Sequence, residues 1–311
     1  MKIIYLGNFN NKESDATEKH IKFALEELGH EVIPIDEQKF LMRDILDIKN
    51  PDMFLFHKGG LSFGFPFESL LKILNYLTCK KVCWFFDKII GDRENYIDII
   101  SGYVDYVFVS DDTWRRRHKY NNMHCLRQGI GNEDAPPVSG RGIPLPEYQY
   151  DVVFTGNVYP PRDLFVDILK EAYRDKFKVF NNVFGRNLYD LCASVKIIVA
   201  PPDPSDEFYW SSRIYMILGS GGFLVHPVLH GLKEEFQEGR HFAGYKGLRE
   251  MKETIDYFLK PENEIKRKTM KMSGWKHCIA NFTYKDRMIE MLKAIGEYGD
   301  KTPKRASGRP E

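Results

Sequence analysis

Short apolar segments alternate with amphipathic segments along this chain, and that alternation constrains its fold more than any other feature. In the first half, apolar segments predict β-strands at residues 2–6, 31–35, 52–56, 81–86 and 105–109. Helical spacing between them predicts helices at residues 16–28, 67–77 and 92–100. Short buried strands separated by helices are typical of a parallel sheet covered on both faces, so we predict an α/β fold.

Residues 129–150 interrupt the alternation with four glycines, four prolines and no periodic pattern, which is typical of a linker or a long loop. Beyond them the alternation resumes. Strands are predicted at 151–154, 177–180, 197–200 and 223–226, and helices at 163–173, 212–218, 248–259, 262–280 and 284–296. We therefore predict two α/β domains, residues 1–145 and 146–283. Residues 299–311 are polar and basic and predict a flexible tail.

Composition excludes several classes of protein. Lys and Arg total 45 and Asp and Glu total 44, so the net charge of +1 gives no global attraction to nucleic acid or to a membrane. The five cysteines are scattered without a Cys-x-x-Cys pair, so we expect reduced thiols and no metal site. The N-terminal apolar run is too short for a signal peptide, and no apolar stretch is long enough to span a bilayer. We expect a soluble cytoplasmic protein.

Parallel sheets also predict where a ligand binds, because ligands of open α/β sheets lie outside the carboxyl ends of the strands. Two such domains facing one another would enclose a central cleft there. Gly7 and Asn8 follow the first strand, and Lys58 and Gly59 follow the third. We predict that these residues bind a ligand, with an ordinary βα turn and a solvated lysine as the alternatives.

Two further side chains at strand ends of the first half are candidate catalytic residues. His57 follows the third strand and could act as a general base or orient a hydroxyl group. Asp87 follows the fourth strand and is the best carboxylate in this half for binding an acceptor hydroxyl. A loop histidine and a carboxylate that caps the next loop are the alternatives.

In the second half, two segments are suited to an anion. Gly156, Asn157 and Arg162 lie between a strand and a helix, where a glycine lets a ligand approach the backbone and an arginine reaches a phosphate. The second segment is predicted to combine a serine N-cap at Ser212, the arginine Arg213 and a glycine-rich turn through Gly221, Gly222 and Phe223, a combination that suits a diphosphate. The dinucleotide fingerprint Gly-x-Gly-x-x-Gly is missing, which disfavours an ordinary Rossmann oxidoreductase.

Three consecutive segments resemble the C-terminal domain of the CgeB-like branch of group 1 (family 4-like) glycosyltransferases. They are SSRIYMILGSGGFLVHP, GLKEEFQEGRHFAGYKGLREMKETIDYFL and NFTYKDRMIEML. The resemblance covers about residues 150–293. The first half matches only as a generic Rossmann-like domain whose fourth strand ends in a Trp-x-x-Asp pattern, from Trp84 to Asp87.

The resemblance implies a GT-B fold, in which two Rossmann-like domains face a central cleft. The first domain would bind the acceptor, the second a nucleotide-sugar, and the helix at 284–298 would return to the first domain. Arg162 and Arg213 would hold the diphosphate, and the turn that contains Gly221, Gly222 and Phe223 would approach the donor. Tyr245 and Leu248 would line the base or ribose region. The nucleotide-sugar would be a co-substrate, with no cofactor and no metal required. Retention of the anomeric configuration, usual in this branch, needs no dedicated general base.

Two residues depart from the family pattern. Many relatives have a glutamate three residues after the arginine, and this chain has Met216; the terminal motif begins with Asn281 rather than His. We predict that the protein transfers a sugar from a nucleoside-diphosphate sugar to a hydroxyl acceptor, with UDP as the favoured nucleotide. A catalytically inactive nucleotide-sugar-binding relative is an alternative that Met216 leaves open.

A second alternative is a DNA-modifying glycosyltransferase acting on a hydroxylated base. Residues 114–119 read Trp-Arg-Arg-Arg-His-Lys, residues 266–268 read Lys-Arg-Lys, and the tail is basic. Phosphates bind such clusters, and flipped bases stack on aromatic side chains. A solvated helix face is the ordinary explanation of such runs.

Overall fold

The computed structural model describes residues 1–9, 17–58, 66–131, 143–160, 162–183, 185–201 and 207–298. Within them it forms two parallel β-sheets, each with helices packed against it. Among the described residues, no helix is long and apolar enough to cross a membrane.

The first sheet is built from the strands β1 (Lys2–Gly7), β2 (Glu31–Asp36), β3 (Met53–Lys58), β4 (Lys80–Phe85), β5 (Tyr106–Val109) and β6 (Met123–Cys125). All neighbouring strands pair in parallel, in the order β2-β1-β3-β4-β5-β6. The helices of this half are α1 (Thr17–Glu27), α2 (Met42–Leu46), α3 (Phe67–Tyr76), α4 (Asp92–Ser101) and α5 (Asp112–Arg117).

Strand β1 shows why these segments are apolar throughout. Successive side chains of a strand point to opposite faces. Ile3 and Tyr5 therefore join a core cluster with α1, while Ile4 and Leu6 join another with α3. Both faces are dry, so no polar position interrupts the strand.

The second sheet contains β7 (Val152–Thr155), β8 (Phe177–Phe180), β9 (Ile197–Val199), β10 (Leu224–Pro227) and β11 (Ala243–Tyr245), in the parallel order β11-β10-β9-β7-β8. Its helices are α6 (Arg162–Tyr173), α7 (Gly185–Ser194), α8 (Arg213–Gly219), α9 (Leu248–Leu259) and α10 (Glu264–Asn281). In α9 the buried residues Met251, Ile255 and Phe258 follow helical spacing and form its core-facing stripe.

A last helix, α11 (Tyr284–Ala294), packs on the first domain. Its buried residues Met288, Met291 and Leu292 belong to the same core cluster as Ile3 and Ile21. Thr283 caps the helix, since its hydroxyl accepts a hydrogen bond from the Asp286 amide at 3.2 Å. The predicted return of the C-terminal helix to the first domain is confirmed.

The two segments that connect the domains run side by side. The Ile130 amide donates to the Phe282 carbonyl at 2.9 Å, and the Tyr284 amide donates to the Ile130 carbonyl at 2.9 Å. Gly129 permits this approach, because a Cβ atom there would lie 2.6 Å from the Phe282 carbonyl oxygen.

The predicted fold class is confirmed, and every predicted strand is present with small shifts of its ends. Five elements were not predicted: α2, α5, α7, β6 and β11. Four of them are three to six residues long, too short to show a period, and α7 opens with the polar sequence Gly-Arg-Asn. The domain boundaries stay a prediction, and residues 132–142 and the basic tail lie outside the described residues.

Candidate functional site

A cavity of about 200 Å³ lies at the carboxyl ends of β7 and β8, where ligands of parallel sheets bind. Its lining combines polar and apolar residues. The polar ones are Thr155, Gly156, Asn182, Ser211, Ser212 and Arg213, and the apolar ones are Val183, Leu188, Met216 and Ile217.

Arg213 at the start of α8 is the only cation that lines this cavity among the described residues. Its Nε donates to the Thr155 carbonyl at 3.0 Å, which aims the guanidinium at the end of β7. Burial and the nearby charge of Arg162 lower the pKa of Arg213 to about 10, so it stays charged at neutral pH. Within the described part of the chain, no carboxylate forms an ion pair with it.

Gly156 is required beside Arg213. Its φ of +127° is rarely adopted by other residues, and a Cβ atom would lie 2.8 Å from Nη2 of Arg213. Arg162 begins α6, lies over the Tyr159 ring at 4.3 Å and donates to the Asn157 carbonyl at 3.5 Å. The structure thus brings together Gly156, Asn157 and Arg162 with Arg213, which the sequence analysis placed in two separate segments suited to an anion.

Of the other residues predicted to bind the donor, Ser212 lines the cavity and Gly221, Gly222 and Phe223 do not. Ser212 occupies the N-cap position of α8 and lines the cavity, but its side chain makes no capping hydrogen bond, so that expectation is corrected. Gly222 packs where a Cβ atom would lie 2.7 Å from Ile217, and its neighbour Phe223 is in the core. Gly221 has a φ of +73° and lies over the Trp275 ring. These three residues lie at the far end of α8 and do not line the cavity.

Tyr245 and Leu248 do not line the cavity either. The Tyr245 side chain is fully buried, and its hydroxyl donates to the Ala200 carbonyl at 2.5 Å. Leu248 is the partly exposed first residue of α9. The position of Tyr245 explains its aromatic character by packing alone.

Met216 connects this cavity to a smaller pocket between the two domains. The second pocket, of about 40 Å³, shares Leu188, Ser212 and Met216 with the first. Its other walls come from α1, the linker, α7, the end of α8 and the start of α11, and include Thr17, His20, Gly129, Ile130, Gly131, Gly185, Tyr189, Ser220 and Tyr284. Helix α1 was predicted and α7 was not, and no residue of either helix was predicted to line a site because neither carries a recognisable motif.

In the first domain, His57 is held by groups that the sequence analysis missed. Its Nε2 donates to Oε1 of Glu18 at 2.9 Å, and the Tyr5 hydroxyl lies 3.4 Å from Nδ1. Burial by itself would raise the pKa of Glu18, but the hydrogen bond and charge of His57 outweigh it and lower that pKa. Both ring nitrogens thus have polar neighbours that orient the ring, and the role of His57 as a general base or as a group that orients a hydroxyl stays a prediction.

Asp87 lies next to this group and is half-exposed. Burial raises its pKa, although Arg93, whose Nη2 is 3.4 Å away, opposes the rise.

Gly7 lies so close to His57 that no other residue fits there, because a Cβ atom at this position would lie 2.7 Å from Cε1 of the imidazole ring. Asn8 follows it, half-buried. Lys58 ends β3, and Gly59 lies outside the described residues.

The basic segment at residues 114–119 is partly neutralised. The Asp112 carboxylate bonds to Arg115 and to Arg116, the latter at 2.6 Å. Trp114 is buried and stacks on His118 at 4.0 Å, so its faces are not open to a nucleobase. In the second cluster Arg267 is buried and Lys268 pairs with Glu264.

A protein-family model matches the part of the chain that contains the cavity. Residues 144–293 match the model of a family described as glycosyl transferase-like. No curated protein sequence is significantly similar to the chain.

Solved structures of glycosyltransferases share the fold over almost the whole chain. A glycosyltransferase from Rickettsia africae ESF-5 has a TM-score of 0.61 at 11% identity, covering 95% of this chain and 98% of that one. Anabaena Alr3699/HepE, solved with UDP and glucose, has a TM-score of 0.64 at 10% identity, covering 96% and 100%. An alpha-glucosyltransferase, solved with UDP-glucose and DNA containing an abasic site, has a TM-score of 0.65 at 8% identity, covering 95% and 99%.

At these identities the structures show the fold, and the matched segment identifies the domain that carries the cavity. The chain has the GT-B fold of these structures, and its residues 144–293 match a family described as glycosyl transferase-like.

Proposed function

We propose that this protein transfers a sugar from a uridine diphosphate sugar to a hydroxyl group, as a member of the CgeB-like branch. Transfer proceeds with retention, without a metal ion and without a cofactor. The observation that carries the proposal is the charged guanidinium of Arg213, which lines the cavity with no carboxylate partner among the described residues.

Two cations near one cavity create a site for an anion. Arg162 lowers the pKa of Arg213, so the two charges repel each other in the free protein. A diphosphate would relieve that repulsion, and the planar guanidinium matches phosphate oxygens geometrically. Ser211 and Ser212 offer further hydroxyl donors in the lining of the cavity.

The apolar lining of the cavity supports the assignment of a nucleotide-sugar rather than free phosphate. Val183, Leu188 and Met216 offer apolar surface that suits the faces of a sugar or a base. The acceptor would approach from the first domain, where Asp87 binds its hydroxyl and His57, oriented by Glu18, contacts it. Gly7, Asn8, Lys58 and Gly59 would complete the acceptor side.

Calorimetric titration with UDP, GDP, ADP and CMP tests the donor, alongside thermal unfolding. At one hundred times its dissociation constant, a ligand stabilises a fold by roughly 2.7 kcal/mol. We expect UDP to bind and Arg213→Ala to abolish binding. Arg249→Ala is the control, because Arg249 is an exposed cation of the same domain that pairs with Glu253. If no nucleoside diphosphate binds at millimolar concentration, the donor assignment is wrong.

DNA as the acceptor is the second candidate. It is supported by the solved alpha-glucosyltransferase with DNA and by Arg117 and Lys119, exposed residues without a carboxylate partner in the described chain. A gel shift at two salt concentrations separates the candidates, since phosphate contacts weaken steeply with salt. Weak, salt-insensitive binding excludes DNA.

The hypothesis that the protein is a catalytically inactive relative predicts a different result. It would bind UDP-sugar but release no UDP in the presence of any acceptor, because Met216 replaces the glutamate of many relatives. A UDP-release assay over a panel of hydroxyl acceptors distinguishes it from the enzyme.

A further inference from the structure

A closed circuit of side chains links the domain connection to the helix that carries Arg213. We call it the Arg127–Arg287 circuit, and its members are Arg127, Trp210, Tyr215, Glu235 and Arg287. It begins in the linker after β6, passes through the second domain, and returns to the linker through α11.

The first part of the circuit runs from Arg127 to α8. The Arg127 guanidinium lies over the Trp210 ring, 3.8 Å from its centroid, and donates to the Phe208 carbonyl at 3.2 Å. Trp210 Nε1 in turn donates to the Tyr215 hydroxyl at 2.8 Å. A residue of the linker thereby touches the segment that leads directly into α8.

The second part runs from α8 back to the linker. The Tyr215 hydroxyl donates to one oxygen of Glu235, and Arg287 Nη2 donates to the other at 2.7 Å. Arg287 Nε donates to the carbonyl of Gln128 at 3.1 Å, which is the neighbour of Arg127 and closes the circuit.

The side chains of the circuit are almost fully buried, so each of its hydrogen bonds depends on the others. Arg127, Trp210, Tyr215 and Arg287 are each no more than 7% exposed. Although burial by itself lowers the pKa of Arg287, the electrostatic effects of Tyr215 and Glu235 outweigh it and raise that pKa. In such an environment, losing one partner leaves the next polar group unsatisfied.

The first domain holds the same segment independently. The Phe208 amide donates to the Thr113 hydroxyl at 2.8 Å, and the Arg116 guanidinium lies 4.0 Å from the centroid of the Phe208 ring. The residues that precede Arg213 are thus anchored to the first domain and the linker, outside the domain that contains the cavity.

We propose that the Arg127–Arg287 circuit positions α8, and with it the guanidinium of Arg213, for the donor diphosphate. Its members are positioning residues: none of them lines the cavity, yet donor affinity depends on them. The inference rests on the proposed role of Arg213 in donor binding.

The test compares UDP affinity, by calorimetry, in Tyr215→Phe and Arg127→Met. We expect UDP to bind about fivefold or more weakly in each, in the range of typical coupling between sites. We also expect the double variant to lose far less than the product of the two losses, because both changes break one circuit.

Matched controls separate positioning from general destabilisation. Tyr173→Phe removes a buried hydroxyl that donates to Asp256 at 3.0 Å in the same domain. Arg267→Met removes a buried guanidinium that donates to the Phe258 carbonyl. Both controls should lower the melting temperature and leave the UDP dissociation constant unchanged.

The outcomes are distinguishable. If wild type binds UDP, Arg213→Ala does not, and the circuit variants bind as wild type does, the positioning role is wrong and the donor site stands. If wild type does not bind UDP, or if Arg213→Ala binds it normally, the donor site fails and the positioning role fails with it. Should Arg127→Met not fold, Tyr215→Phe and Trp210→Phe decide the question.

Discussion

Nε2 of His57 donates to Oε1 of Glu18 at 2.9 Å, and this bond joins the carboxyl end of β3 to the first turn of α1. Both side chains are largely buried. The carboxylate therefore fixes the ring orientation of the histidine that the proposed acceptor would meet.

Glu18→Gln should destabilise the protein by about 1–3 kcal/mol at neutral pH, because it removes a buried charge-assisted hydrogen bond. The folded-state pKa of Glu18 lies below its usual 4.5, so the bond stabilises the protein above that pH. The stabilisation is lost as the pH falls through the lowered folded-state pKa. Urea unfolding of both proteins between pH 3 and pH 7 (roughly the range of carboxylate titration) should show the difference shrink in acid. Glu26→Gln, which alters an exposed pair with Lys22, is the control and should change little.

Gly156→Ala should weaken UDP binding as well as stability. The new methyl group would lie 2.8 Å from Nη2 of Arg213 and would displace the guanidinium. Gly239→Ala shares the cost of positive φ (+74°) but has open space around its Cβ position. Both variants should lose about 1 kcal/mol or more in urea unfolding. Equal UDP affinity in the two variants would show that Gly156 does not determine the position of Arg213.

Gly129→Ala should destabilise the connection between the domains by about 1–3 kcal/mol. Its methyl group would meet the Phe282 carbonyl at 2.6 Å, and a backbone atom cannot rotate away. Gly247→Ala has nothing within 4 Å and extended φ, so its free energy of unfolding should match wild type. Urea unfolding checks both, and an unaffected Gly129→Ala would mean that the two connecting segments are free to separate.

Arg287→Met should destabilise the protein by about 3–5 kcal/mol, because Glu235 is left as an uncompensated buried charge. Replacing both partners, as Arg287→Met with Glu235→Leu, should recover much of that loss. A thermal-unfolding double-mutant cycle measures the coupling, and additive losses would contradict a buried ion pair.

Much of the fold could be predicted from the sequence because each apolar segment carries its own period. The segment 248–259 was predicted with its observed bounds, since its buried residues repeat at helical spacing. Three-residue strands such as β6 and β11 show no period, and only pairing with their neighbours defines them.

Some residues of the candidate site could be predicted from the sequence and others could not, for a related reason. Gly156, Arg162 and Arg213 were found because each lies beside a strand end or a helix start within one local segment. Glu18 and Tyr5 were missed, because their contacts with His57 bridge separations of 39 and 52 residues that no local pattern reveals.

The sequence by itself determined the alternation of strands and helices, the Pro/Gly-rich connection and the resemblance that names a family. Only the tertiary structure decided that Tyr245 and Phe223 lie in the core while Arg213 faces a cavity. The physical reason is that local periodicity depends on residues that are neighbours in the sequence. Burial and hydrogen bonding depend on segments that meet only after the chain has folded. The Arg127–Arg287 circuit is the clearest case, since it joins residues from four separate parts of the chain.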